Sequence, residues 1–280
     1  MAALTRPDLI ATPEWLSEQL GRPDLRVLDV RWRPDGSGAA TFGLSHIPRA
    51  SYVNWRTDLI EVSPETGGLL LAGPDRVASV LGEAGIGDGT SLVIYDDTLS
   101  LYAARVWWSL RVYGYESARI LDGGLPAWLA DRRPVSNAID DQPAATFTPR
   151  ANPRLRMTTS DVRAALGSSD VLLLDARAAA EFRGFEGNSV RLGHIPGAVN
   201  VPVGAMHLPG TQRLRDAAVL REMLLKANVA RGRRIVTYDG SGVAAAKLAF
   251  VLELLGYEDV AVYDGGWSEW GGRLDLPVDR

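Results

Sequence analysis

The chain has 280 residues, a formal net charge of −4, 46% hydrophobic and 23% charged residues, and no cysteine. This is an ordinary globular composition, long enough for one large or two medium domains. It excludes disulfides, thiolate metal sites and a thiol nucleophile, and mild acidity without a basic, aromatic-interleaved patch argues against nucleic-acid partners.

No apolar run approaches the roughly 20 residues that span a bilayer, so no membrane partner is expected. The opening Met-Ala-Ala-Leu-Thr-Arg-Pro-Asp has no signal-peptide core, which points to the cytoplasm. Thr12 and Pro13 open a short helix over residues 13–20 as N-cap and first helical position. Arg26 to Val30 reads as a strand carrying Asp29, and a polar loop from Arg33 to Gly43 leads into Ser45-His-Ile-Pro48. Leu92 to Asp96 is a second apolar strand, followed by a helix from Ser100 to Tyr113 that carries Trp107 and Trp108. Gly114 ends it, Ala118 to Leu121 is a strand, and Asp122-Gly-Gly-Leu-Pro-Ala-Trp128 turns into a last short helix.

The second half repeats this order. Asp29 and Asp175, His46 and His194, Asp96 and Asp239, Asp122 and Asp264, and Trp128 and Trp270 each lie roughly 145 residues apart, too long a period for a solenoid and fitting two copies of one domain. The first unit is expected over residues 1–135 and the second over 157–280. A linker over 136–156 falls in the Pro-, Arg-, Asn- and Asp-rich stretch from Asp131 to Arg156. Alternating strands and helices imply two tandem α/β domains, each with a central, mainly parallel sheet flanked by helices. They should meet across a cleft into which the Asp239 loop faces. His46 and His194, each before Ile-Pro, are read as residues that bond nearby backbone, and with His207 they are too scattered for zinc; no metal or cofactor is expected.

The stretch from Arg234 to Lys247 carries the chemistry. Ile235 and Val236 belong to a buried strand, Asp239-Gly-Ser-Gly242 is a turn, and Ala244, Leu248 and Val251 lie on a helix. A strand that turns through two glycines into a helix gathers backbone N–H groups and the positive end of a helix dipole, a small anion cradle at a strand end. A plain strand-helix connection capped by Asp239 is the ordinary alternative.

These landmarks resemble the tandem-domain rhodanese family, the thiosulfate and 3-mercaptopyruvate sulfurtransferases. The resemblance is carried by Val27-Leu-Asp-Val-Arg31, Ser45-His-Ile-Pro48, Ala103-Ala-Arg-Val-Trp-Trp108, Leu174-Asp-Ala-Arg177, Gly193 to Pro202 and Tyr263-Asp-Gly-Gly-Trp267. It implies that the second domain carries the site and that the first has a silent loop at Asp96. In the family a cysteine opens the second loop, and backbone N–H groups cradle its thiolate and the persulfide formed from it. The mercaptopyruvate-type loop reads Cys-Gly-Ser-Gly-Val-Thr; here it reads Asp239-Gly240-Ser241-Gly242-Val243-Ala244.

An aspartate at that position is a hard oxygen nucleophile, where a thiolate is soft and holds sulfane sulfur. Persulfide chemistry is therefore expected to be lost or severely weakened, with the carboxylate accepting the loop N–H bonds. Ala244 also lacks the hydroxyl of the family's threonine. Arg191 matches a substrate-carboxylate arginine or is an ordinary surface or ion-pair arginine; the earlier substrate arginine is replaced by Glu181, with Arg183 nearby but out of register. Ser241 and Lys247 line the same loop and helix start, with a solvated helix position as the plainer reading of Lys247. The expected ligand is a small sulfur-containing or other anion in the cradle, with a protein partner as a further option. The alternatives are a non-catalytic anion- or protein-binding module, an aspartate-based hydrolase or phosphatase, and an introduced cysteine-to-aspartate change in an active parent.

Overall fold

A computed structural model describes residues 3–64, 68–140 and 142–280. Met1, Ala2, residues 65–67 and Asp141 lie outside the described residues, so the start of the first expected unit and one position of the expected linker are not covered.

In the first half, β1 (Ile10–Ala11), α1 (Pro13–Gln19), β2 (Leu25–Asp29), α2 (Gly38–Leu44), β3 (Ala50–Tyr52) and α3 (Trp55–Asp58) come first. They are followed by β4 (Ile60–Val62), β5 (Leu69–Leu71), α4 (Pro74–Glu83), β6 (Ser91–Tyr95), α5 (Leu101–Val112), β7 (Ala118–Leu121) and α6 (Gly124–Ala130). The three central strands β7, β6 and β2 are short, mostly apolar runs largely buried on both faces, and the five main strands order β1-β7-β6-β2-β3, all parallel. The second half has β8 (Arg156–Met157), α7 (Thr159–Ala165), β9 (Val171–Asp175), α8 (Ala179–Phe182), β10 (Val199–Asn200) and α9 (Ala217–Lys226). It closes with β11 (Arg234–Tyr238), α10 (Val243–Leu254), β12 (Val260–Tyr263) and α11 (Gly266–Gly272). Its sheet orders β8-β12-β11-β9-β10, again all parallel, so the strands correspond one to one.

Each half sends a hairpin to the other. The antiparallel pair β4–β5 reaches the second domain, where the Leu71 amide donates to Asp264 Oδ2 at 2.8 Å. Its counterpart is the bridge between His207 and Leu214, from which the Leu214 amide donates to Asp122 Oδ1 at 3.0 Å. Between the hairpins, α5 packs on α10, with Trp107 edge-on to Phe250 at 5.1 Å and Arg111 paired with Glu253. Burial of Ala245 through Leu254 is complete because α10 is apolar around most of its circumference and enclosed on all sides. One apolar core runs through both helices into both domains, so the boundary expected as a cleft is closed along α5 and α10.

The linker is tied to the first domain rather than free. Ser136 and His46 form an antiparallel bridge, the Arg150 amide donates to Tyr113 O at 2.8 Å, and that of Asn152 to Val112 O at 2.7 Å. Its low periodicity reflects an extended segment bonded to a neighbour, a pattern without the repeat of a helix or half-buried strand. At the other end of the chain, the amides of Thr5 and Arg6 both donate to Leu254 O at 3.1 Å, and Thr5 Oγ1 donates to Leu255 O at 3.0 Å. Among the described residues no helix is long and apolar enough to cross a membrane.

Candidate functional site

The loop after β11 begins at Asp239, which is 6% exposed, and passes into α10 through Gly242 at φ +80°. Asp239 Oδ2 accepts the Ala244 amide at 3.1 Å, while Oδ1 is buried and has no hydrogen-bond partner. Burial raises the Asp239 carboxyl above the ordinary carboxylate range, and the amides of Ala244, Ala245, Ser241 and Gly242 pull against it. Of these four, only Ala244 reaches hydrogen-bond geometry; the others favour the charge from a distance. The carboxyl group thus sits within the cradle, and the N-cap position belongs to Gly242 rather than Asp239.

The loop is backed by the Asp264-Gly-Gly turn. The Trp267 amide donates to Asp239 O at 2.6 Å, and the Ser268 amide and hydroxyl donate to Gly240 O at 3.0 and 2.5 Å. Gly266, at φ +57°, is required there, since a Cβ would lie 2.5 Å from Asp239 O. Asp264 is 2% exposed and pairs with Arg105 at 2.6 Å and Arg156 at 2.9 Å. Arg105 comes from α5 of the other domain, and its Nη1 also donates to Gly242 O at 3.3 Å.

The first-domain loop is built around Asp96, which is fully buried. Its Oδ1 accepts the amides of Thr98 at 2.8 Å and Ser100 at 3.0 Å, and its Oδ2 that of Ala103 at 2.8 Å. Gln212 of the second domain's hairpin closes over it, accepting the Leu99 amide at 2.7 Å and donating to Asp97 O at 2.8 Å.

Among the other candidates, Ser241, Val243 and Ala244 are half-buried around the loop. Arg191 is elsewhere engaged: its Nε donates to Gly271 O at 3.1 Å, its Nη1 to Leu276 O at 2.7 Å, and its Nη2 to the carbonyls of Trp270 and Arg273. Four of its five N–H groups thus stitch the end of α11, an arrangement that leaves no fork for a substrate carboxylate. Lys247 corrects the expectation of a solvated helix residue. It is 1% exposed, because α10 has no solvent-facing side at that position. Burial pushes its ammonium down to about 8, opposed by Asp96 and Asp122, with neither of which it forms an ion pair. His207 is also buried, neither ring nitrogen has a partner, and burial and then Lys247 push it down to about 4. The backbone at Leu99 and Val203 favours its proton without reaching bond geometry. His46 bonds Phe42 O at 2.8 Å and Ala138 O at 3.1 Å, and His194 bonds Phe182 O at 2.8 Å. No group of three metal-ligating side chains is found among the described residues.

Sequence reasoning missed Arg105 as part of this arrangement. The available signal was a single arginine inside the apolar run Ala103 to Trp108, where an unpaired charge is untenable.

The rhodanese-like domain family matches this chain twice, over residues 12–131 and 158–273. The chain is 32% identical over 275 residues to a 3-mercaptopyruvate sulfurtransferase of Escherichia coli K12, covering 95% of this chain and 96% of that one. It is 33% identical to a thiosulfate sulfurtransferase of Gallus gallus, covering 94% and 93%. The crystal structure of SseA from Escherichia coli, a 3-mercaptopyruvate sulfotransferase with the rhodanese fold, superposes with a TM-score of 0.84 at 30% identity, covering 92% of this chain and 98% of that one. The protein therefore belongs to the rhodanese family, as two rhodanese-like domains in tandem with an aspartate heading each loop and no cysteine in its sequence.

Proposed function

We propose that this protein is a rhodanese-family member without persulfide chemistry, and that its second-domain loop serves a non-catalytic binding role. The observation that carries this reading is Asp239 itself. The nucleophile position is held by a carboxyl group that takes the Ala244 amide into its own hydrogen bond, in a chain with no thiol to replace it. A carboxylate oxygen does not hold a sulfane sulfur, and a second anion entering the cradle would meet the first at close range in a poorly solvated site. Arg191, tied to α11, supports the same reading, since a substrate carboxylate finds no free guanidinium there. This favours a protein partner over a small anion as what the site serves. An aspartate-based phosphoryl transfer has less support, because that chemistry uses a metal ion and a second carboxylate, and Gly240 and Ser241 are the loop's next residues. The test is thiocyanate formation from thiosulfate and cyanide, and pyruvate release from 3-mercaptopyruvate, with the purified protein. We expect neither above background. Turnover comparable to a cysteine-bearing relative assayed alongside overturns the reading.

A further inference from the structure

We propose that Arg105, carried by the first domain, is a positioning residue for the 239–244 loop of the second, so that the loop is a complete site only with both domains in place. The proposal rests on reading that loop as the protein's binding site. Arg105 is 1% exposed and lies with its guanidinium carbon 4.6 Å from the centre of the Trp108 ring, which fixes its direction toward the other domain. From there it makes three contacts beyond its own helix. Nη1 donates to Gly242 O inside the loop at 3.3 Å, Nη2 to Asp264 Oδ1 at 2.6 Å, and Nη2 to Leu69 O of the hairpin at 3.1 Å. Asp264 heads the turn whose Trp267 and Ser268 amides hold the Asp239 and Gly240 carbonyls. The guanidinium therefore grips the loop directly at Gly242 and indirectly through its backing turn.

Gly242 is fitted to this contact. Besides its φ of +80°, a Cβ there would lie 2.3 Å from Arg105 Nη1. The corresponding cation on α10, Lys247, is influenced electrostatically by Asp96 and Asp122 of the first domain but makes an ion pair with neither. The Asp96 loop is held across the domains by Gln212 instead, so the guanidinium brace serves the loop whose carboxyl has the fewer bonds of its own. It also gives the first domain, whose own Asp96 loop is closed by Gln212 of the second, a part in the site of the second.

The experiment is a carboxyl NMR titration of Asp239 in the full chain, with amide shifts of Gly240 to Ala244 and urea stability measured alongside. Arg105→Met, Arg105→Lys and, as a control on the same helix pair, Arg111→Met are compared with the wild type. Loss of the brace should loosen the amides that favour the carboxylate, so Asp239 should titrate higher by at least ~0.5 pH unit in both Arg105 variants, with loop amide shifts to match. Lysine keeps the charge but cannot grip Asp264, Gly242 O and Leu69 O together. Arg111→Met should lower stability and leave the Asp239 titration in place. An Asp239 titration unchanged by either Arg105 variant overturns the proposal. So does wild-type titration in Arg105→Lys, which would assign the effect to charge alone, or an equal shift in Arg111→Met. Should Arg105→Met not fold, Arg105→Lys decides the matter. Sulfur turnover by the wild type would overturn the proposed function and leave this test standing, because its readout is the carboxyl group and not activity.

Discussion

The loops headed by Asp96 and Asp239 occupy the same slot in the two sheets, after β6 and β11, yet they hold the same side chain in different ways. Around Asp96 the backbone is bent to fit. Leu99 and Ser100 both take left-handed φ values of 55°, unusual for residues with a Cβ, and three amides converge on the carboxylate. Around Asp239 the turn is built with glycines, one amide bonds one oxygen, and the other oxygen has no partner. The first loop is organised around a buried carboxylate. The second accommodates one in a shape that does not fully serve it. Matching residues in matching folds thus differ in what they stabilise, and only the bonding pattern reveals it.

Cysteine placed in each loop tests that contrast most strongly. Asp239→Cys should form a trappable persulfide on exposure to 3-mercaptopyruvate, more readily than to thiosulfate, because the uncharged Ser241 offers no hold on a dianion and the glycine-built loop keeps its donors. Asp96→Cys should form none, since Gln212 closes that loop. Ala244→Thr should add to the Asp239→Cys rate. Mass spectrometry after thiol trapping is the measurement; equal loading of both cysteines, or of neither in folded protein, removes the distinction between the loops.

Truncation should show the next largest difference. Asp96→Ala leaves three amides unpaired, two of them buried, and should cost roughly 3–5 kcal/mol, whereas Asp239→Ala, losing one bond and relieving one orphan oxygen, should cost about 1 kcal/mol or less. Urea unfolding of both variants checks this, and equal losses would mean that the two carboxyl groups are equivalent.

The smallest effect concerns the cation between the loops. Folded Lys247 gives up its proton near pH 8, but in the unfolded chain it does so only near 10.5. Between these values the unfolded state binds more protons, so this residue makes stability rise with pH, by about 2 kcal/mol from pH 8 to 9.5. Lys247→Met should flatten that rise and be the more stable protein at pH 7. Stability curves at several pH values with unchanged slopes in the variant would show that the ammonium is solvated after all.

Much of this architecture was legible in the residues. Strand cores such as Leu92 to Tyr95 and Val171 to Leu174 are unbroken apolar runs, and the paired Asp-Gly-Gly turns at Asp122 and Asp264 mark the repeat. The position of Asp239 followed from its strand–glycine–helix setting. What escaped were contacts between stretches far apart in the sequence. Arg191 reads in one dimension either as a ligand residue or as an ordinary surface or ion-pair arginine, and only the fold brings it to the carbonyls at the end of α11. Lys247 reads as solvated because a lone lysine usually is; the enclosing partner, α5, lies more than a hundred residues earlier in sequence. Arg105 is the reverse case, a charge in an apolar run whose reason is a carboxylate on the far side of the interface.

The strap formed by Thr5 and Arg6 has a consequence in time. Its partner carbonyls at Leu254 and Leu255 lie 250 residues further along the chain. At ~5–20 residues per second, a ribosome needs roughly 12–50 s to make that distance, so the strap is among the last contacts available to a nascent chain. Its first residues must wait, exposed, while the first domain and then most of the second assemble. Closing so long a loop from an unfolded chain would carry a large entropic penalty, but after the domains have docked the ends are already neighbours and little remains to be ordered. The strap is thus a late seal on an assembled molecule, and a nascent chain halted before residue 254 cannot form it.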